Sequence, residues 1–140
     1  MTPDQIRLVQ ASFARVKPEA TAAAEAFYRR LFELDPSVRG LFHGNMAQQG
    51  EKLMQMIGAA VGLLGRPETL FPVLHALGAR HVGYGVQPGH YDTVGQALMD
   101  TLGALLGDAF GAAQREAWAA LFAIVKREML YTESPASLAA

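Results

Sequence analysis

No cysteine occurs anywhere in the 140 residues. That excludes disulfides, thiolate metal sites, iron–sulfur clusters and cysteine nucleophiles. Charge of either sign is in little excess, with twelve Lys and Arg against thirteen Asp and Glu, net −1. Such a balance gives no electrostatic hold on nucleic acid or anionic membrane, and neither is expected as a partner. Long apolar runs are missing too. The most apolar stretch, "MIGAAVGLLG" at 56–65, is well short of the roughly 20 residues that a bilayer crossing needs. The N-terminal "MTPDQIRLVQ" carries neither a basic start nor a signal-like apolar run, so the default expectation is a cytoplasmic protein.

Strand signals are equally scarce. No long stretch alternates with period two, and no Asn-Gly or similar dipeptide separates two apolar runs. The phosphate-binding Gly-Lys-[Ser/Thr] loop, H-E-x-x-H and G-x-S-x-G are all absent. "GYG" at 83–85 follows a helical pattern, which removes it as a dinucleotide loop.

Helical patterning fills the rest. Thr2-Pro3-Asp4-Gln5 combines a capping Thr, a Pro at the first helical position and a Gln three residues after the cap. Ile6, Val9, Phe13 and Val16 follow at helical spacing. A second helix runs from Pro18-Glu19 to about Leu34, where Asp35-Pro36 ends it, since a residue before proline is pushed out of the α region. A third spans about 46–64 and a fourth about 67–84. After the turn "GVQPGH", a fifth is traced by Tyr91, Val94, Leu98 and Leu105, and a last by Ala117, Trp118, Leu121, Phe122 and Val125. The expectation is an all-α protein of six to eight helices in one domain over 1–140, with a frayed tail from about 134. A chain this long buries about two thirds of its unfolded surface, enough for a core without staples.

Two histidines stand in the fourth helix, six residues apart and so roughly 120° round it. Leu70, Leu74, Leu77 and His81 share one stripe, which sends His81 to the apolar side, with Gly78 leaving room for something bulky to approach. His75 reads as an ordinary surface residue. On spacing alone His81 is either a core histidine bonded to a neighbour or a ligand. Two further helices offer a polar group on an apolar stripe: Gln49 with Leu53, Met56 and Ile57, and Tyr28 with Ala24, Leu31 and Phe32. Buried polar groups need partners. Three of them converging from three helices point to a shared, non-protein occupant.

These residues resemble the globin family, specifically bacterial globins related to flavohaemoglobins, from about Ile6 to Glu133. "DPSVRGLF" resembles the bend after the second globin helix, with Pro36 followed six residues later by Phe42. "QQGEKLMQ" is similar to the distal helix, "LGARHVGYGVQPGHYDTVGQAL" to the proximal helix and the start of the next, and "EAW" with Trp118 to the opening of the final one. The resemblance implies haem b with His81 as the axial metal ligand and Phe42 stacked on the porphyrin. Covalent attachment is excluded separately, since no C-x-x-C-H occurs. It also implies Tyr91 and Glu133 near the proximal histidine, and Lys52 and Arg80 within reach of the propionates. Tyr28 and Gln49 become hydrogen-bond donors to a bound gas, beneath Leu53. Dioxygen, nitric oxide and CO are the implied diatomic ligands. The implied activity is reversible dioxygen binding and, with an external reductase, dioxygenation of nitric oxide to nitrate; the alternative is an oxygen carrier, store or sensor without catalysis. A cofactor-free helical interaction module is the reading from another class. A monomer or weak homodimer is expected. His43 and His90 read as loop residues.

Overall fold

The computed structural model describes residues 1–131. Its order is α1 (Pro3–Val16), a 3₁₀ turn, α2 (Ala20–Leu34), a second 3₁₀ turn over Pro36–Leu41, α3 (Met46–Gly62), α4 (Pro67–Gly83), α5 (Pro88–Leu106), a third short turn and α6 (Ala112–Met129). No strand occurs among the described residues, and none of their helices is long and apolar enough to cross a membrane.

The helix starts are those that the local chemistry dictates. Thr2 and Gln5 cap α1 reciprocally, side chain to backbone, at 3.1 and 3.0 Å. Asn45 opens α3, its side-chain oxygen accepting from the N–H groups of Ala47 and Gln48. Proline occupies the first position of α4 and of α5, where its missing N–H costs nothing. His90 also contributes here, its Nδ1 accepting from the Gln87 N–H at the start of α5.

Packing is pairwise and uneven. Helix α2 lies on both α5 and α3, α1 lies on α6, and α4 lies on α6. Val9, Leu31, Leu74 and Trp118 are the large side chains sealed most completely in the core. The buried hydroxyls of Ser12 and Thr101 bond back to the carbonyls of Leu8 and Ala97, both at 2.8 Å, so neither leaves an unmet polar group. Successive helices α3 and α4, by contrast, have no substantial packing against each other, and neither leans on α5. Their apolar stripes therefore border a cleft.

Two crossings depend on glycine. A Cβ added at Gly78 would overlap the backbone carbonyl of Met129, so α4 and α6 meet backbone to backbone. The room that the sequence leaves beside His81 at Gly78 is taken by α6. At Gly50, where α3 crosses α2, an added Cβ would stand 2.9 Å from the Ala24 methyl. One inter-helix ion pair reinforces α2 against α5: Arg30 Nε donates to Asp100 at 2.8 Å. That partner holds the Asp100 carboxyl below the usual carboxylate range.

Candidate functional site

His81 lies in the last turn of α4 and is half-buried, below the fully buried Leu70 and Leu74 on the same stripe. Its Nδ1 stands 2.8 Å from the carbonyl oxygen of Leu77, one turn back. A carbonyl can only accept, so Nδ1 carries the proton and donates. The opposite nitrogen, Nε2, is left with its lone pair and no protein partner among the described residues. That is the tautomer a metal-ligating imidazole requires, with the second nitrogen anchored to fix the ring's orientation. Three or more His, Asp or Glu side chains never gather in one place among the described residues, so an ion held by protein ligands alone has no site there.

Phe42, Leu53, Ile57, Leu77, Tyr91 and Val94 are apolar or aromatic side chains that touch the core yet are only half-buried. They come from α3, α4, α5 and the turn after α2. A large flat apolar group entering between α3 and α4 would cover them, gaining about 25 cal/mol for each Å² removed from water. Phe42 sits in a small aromatic cluster, edge-on to Tyr28 at 5.3 Å and to Phe32 at 5.7 Å between centroids.

Tyr28 is buried, and burial alone pushes its hydroxyl up to about 12. It stays protonated throughout the physiological range and is therefore a donor. Gln49 is half-buried at the first turn of α3, and its Nε2 donates to the backbone carbonyl of His43 at 3.2 Å. The amide carries a second N–H, which has no partner among the described residues. Leu53 follows one turn later. Tyr91 is half-buried and pushed upward by the same desolvation. Lys52 and Arg80 are exposed, as is His43. Glu133 lies outside the described residues.

His75 departs from its expected role. It is half-buried between α4 and α6, its ring stacked on Tyr131 at 4.3 Å, with Nε2 3.6 Å from the Glu128 carboxylate. The backbone contact at Gly78 brings α6 close enough to cover a position that helical periodicity turns outward. Sequence reasoning also missed the Leu77 carbonyl as the partner of His81. The only signal available was its i−4 spacing, common to every helical residue.

A large groove lies elsewhere. It is an open trough of about 1160 Å³ between α1, α2 and α3. Tyr28, Phe32 and Gly50 stand on its wall; Gln49, Leu53 and His81 do not.

Comparison with known proteins bears on this arrangement. Residues 25–129 match the globin family. A flavohemoprotein of Chromobacterium violaceum is 30% identical over 138 residues, covering 96% of this chain and 34% of the relative. Those of Xylella fastidiosa and Vibrio cholerae are 29% and 26% identical over 124 and 125 residues, covering 86% and 87% of this chain and 31% and 32% of theirs. The chain thus spans about a third of the length of these relatives. The all-helical order, the cleft between α3 and α4 and the matched residues lead to one conclusion: the chain is a haem globin, a member of the globin family that resembles the haem domain of bacterial flavohaemoproteins.

Proposed function

We propose that the chain holds haem b without covalent attachment in the cleft between α3 and α4, binds dioxygen reversibly, and oxidises nitric oxide to nitrate when a separate reductase supplies electrons. The observation that carries this reading is the committed tautomer of His81, with Nδ1–H spent on Leu77 and Nε2 free on a half-buried edge of the cleft. Haem supplies the redox-active iron at which a diatomic gas binds. His81 Nε2 would be the iron's protein ligand, and the bond from Nδ1–H to a neutral carbonyl would set how strongly the imidazole donates. A carboxylate in that place would make it the stronger donor; Glu133 is the candidate for such a second partner. Phe42 and Tyr91, both half-buried, would pack against the flat group, and the exposed Lys52 and Arg80 would pair with its carboxylates.

On the other side, Tyr28 offers an O–H that burial keeps protonated. Gln49 adds the amide N–H that its bond to His43 leaves over. Each donor to a charged acceptor contributes about 1.5–3 kcal/mol. Leu53, half-buried one turn after Gln49, would restrict water entry there. In the overall reaction one nitric oxide, one dioxygen and one electron give one nitrate.

Optical spectra of ferric, ferrous and CO-bound protein test the cofactor, and a colourless protein that takes up no added hemin overturns it. Mixing the oxygenated protein with nitric oxide tests the chemistry. Stoichiometric nitrate is expected, and its absence would leave reversible gas binding alone.

A further inference from the structure

Three of the helices begin with the same reciprocal device, and one of the three uses a different residue for it. In α1 the Gln5 side-chain oxygen accepts from the N–H of Thr2, and in α6 that of Gln114 accepts from Gly111, both at 3.0 Å. In α5 the same place is held by a histidine. Nδ1 of His90 accepts from the N–H of Gln87 at 2.9 Å. Each bond satisfies a backbone donor at the helix start.

The glutamine amides accept at any pH. An imidazole nitrogen accepts only through its lone pair, so the ring at position 90 is neutral here, with its proton on Nε2. Histidine is the side chain whose charge changes near neutrality. Protonation puts a hydrogen on Nδ1, and the former acceptor then confronts the Gln87 N–H with a second donor. It also places a positive charge in the first turn of a helix, where the macrodipole disfavours one.

The charged ring has another partner. Asp35 ends α2 and caps the turn over Pro36–Leu41, its Oδ1 accepting from the Ser37 hydroxyl at 2.6 Å and N–H at 3.1 Å. Those bonds hold its carboxyl below the usual carboxylate range, and a positive charge on His90 lowers it further. The attraction is mutual, so Asp35 favours the charged ring while the Gln87 N–H favours the neutral one. Asp92, two residues along α5, takes the Lys126 ammonium of α6 at 2.7 Å, so that pair is already matched.

We propose that His90 is a proton-operated helix cap: its neutral ring fixes the first turn of α5, and its protonated ring gives up Gln87 for Asp35 at the end of α2. Candidate site residues adjoin both partners. Tyr91 follows His90 directly, and Phe42 closes the turn that Asp35 opens. Acid therefore loosens the backbone that carries Tyr91. The bearing on bound haem rests on the function proposed above; the exchange of partners does not.

The full chain, kept under CO, is followed by NMR from about pH 8 down to about pH 5, the interval in which histidines change charge. Solvent exchange of the Gln87 amide, corrected for its intrinsic pH dependence, should speed about two- to thirtyfold as the His90 ring protonates, the range for losing one helix cap. His90→Gln, which installs the residue that α1 and α6 use, should keep the amide protected across the interval. His90→Ala should leave it fast throughout. Asp35→Asn, which keeps an acceptor for Ser37, should move the change to lower pH. A flat profile in the wild type overturns the proposal, as does a change that survives in His90→Gln or stays in place in Asp35→Asn. These readings need no haem: a normal CO spectrum beside a flat profile removes only the switch, and a colourless chain that shows the change removes only the haem.

Discussion

The two helices bordering the cleft are held in opposite ways. Helix α4 meets α6 backbone to backbone at Gly78, and His81 is locked by its own helix through the Leu77 carbonyl. Helix α3 crosses α2 through the Ala24 methyl at Gly50, and its polar residue, Gln49, is bonded to a carbonyl in the preceding loop. On the α4 side the donor atom, its tautomer and the helix axis are set before any ligand arrives. Beside α3, Tyr28 of α2 has a protonated hydroxyl and Gln49 a second amide N–H, neither with a partner among the described residues. Preorganisation belongs where a permanent group is held, since an anchored ring loses little entropy on binding. Donors left over belong where a ligand comes and goes.

Six substitutions break or sharpen this contrast. The largest effect falls on the α4 side. His81→Ala should lose haem on desalting, read as the disappearance of the Soret band, while far-ultraviolet circular dichroism stays helical because residue 81 is only half-buried. Retained haem would remove the axial assignment. Next come the glycines. Gly78→Ala has to displace backbone and should cost at least about 3 kcal/mol in denaturant unfolding, the upper range for overpacking. Gly50→Ala meets only a methyl at 2.9 Å and gains about 1 kcal/mol of helix propensity, so its net loss should stay near about 1 kcal/mol. Equal losses at the two sites would mean that the crossings are equally tight.

Third, Tyr28→Phe should speed dioxygen release about ten- to a hundredfold in stopped flow, following from about 1.5–3 kcal/mol for one donor to a charged acceptor. Gln49→Leu should speed it by less than about tenfold, because Gln49 is only half-buried, where water competes for the acceptor, whereas Tyr28 is buried. Unchanged release in both variants would defeat the donor assignment. The smallest effect lies away from the cleft. Arg30 lowers the Asp100 carboxyl, so this pair stabilises the fold above the ordinary carboxylate value of about 4 and stops doing so as pH falls through the lowered one. Both partners are partly exposed, which keeps the contribution modest. Asp100→Asn should therefore be slightly less stable than wild type at neutral pH, the two unfolding curves converging in acid. A gap that persists in acid would point to packing rather than charge.

Much of the fold was legible because its signals are local. The Thr2 cap, Asp35-Pro36 and the prolines at 67 and 88 set helix ends by sterics and missing donors, which act within a turn of chain. The placement of His81 and Leu74 on one stripe needs only 3.6 residues per turn. The bond that commits His81 was not legible, because every helical side chain has a carbonyl four residues back and only the rotamer selects it. His75 was misread for a related reason: periodicity says which way a residue points from its own helix, and it says nothing about which neighbour arrives there. The role of Glu133 lies outside the described residues and stays with the proposal.

By itself, then, the sequence determined an all-helical chain with an imidazole, a phenol and an amide on three apolar stripes, through propensity, capping and period. The tertiary structure alone decided that α3 and α4 stand apart and that α6 presses its backbone into Gly78 and covers His75. Those outcomes depend on how volumes from distant segments fit together, and close packing among residues far apart in the chain leaves no local mark on any one of them.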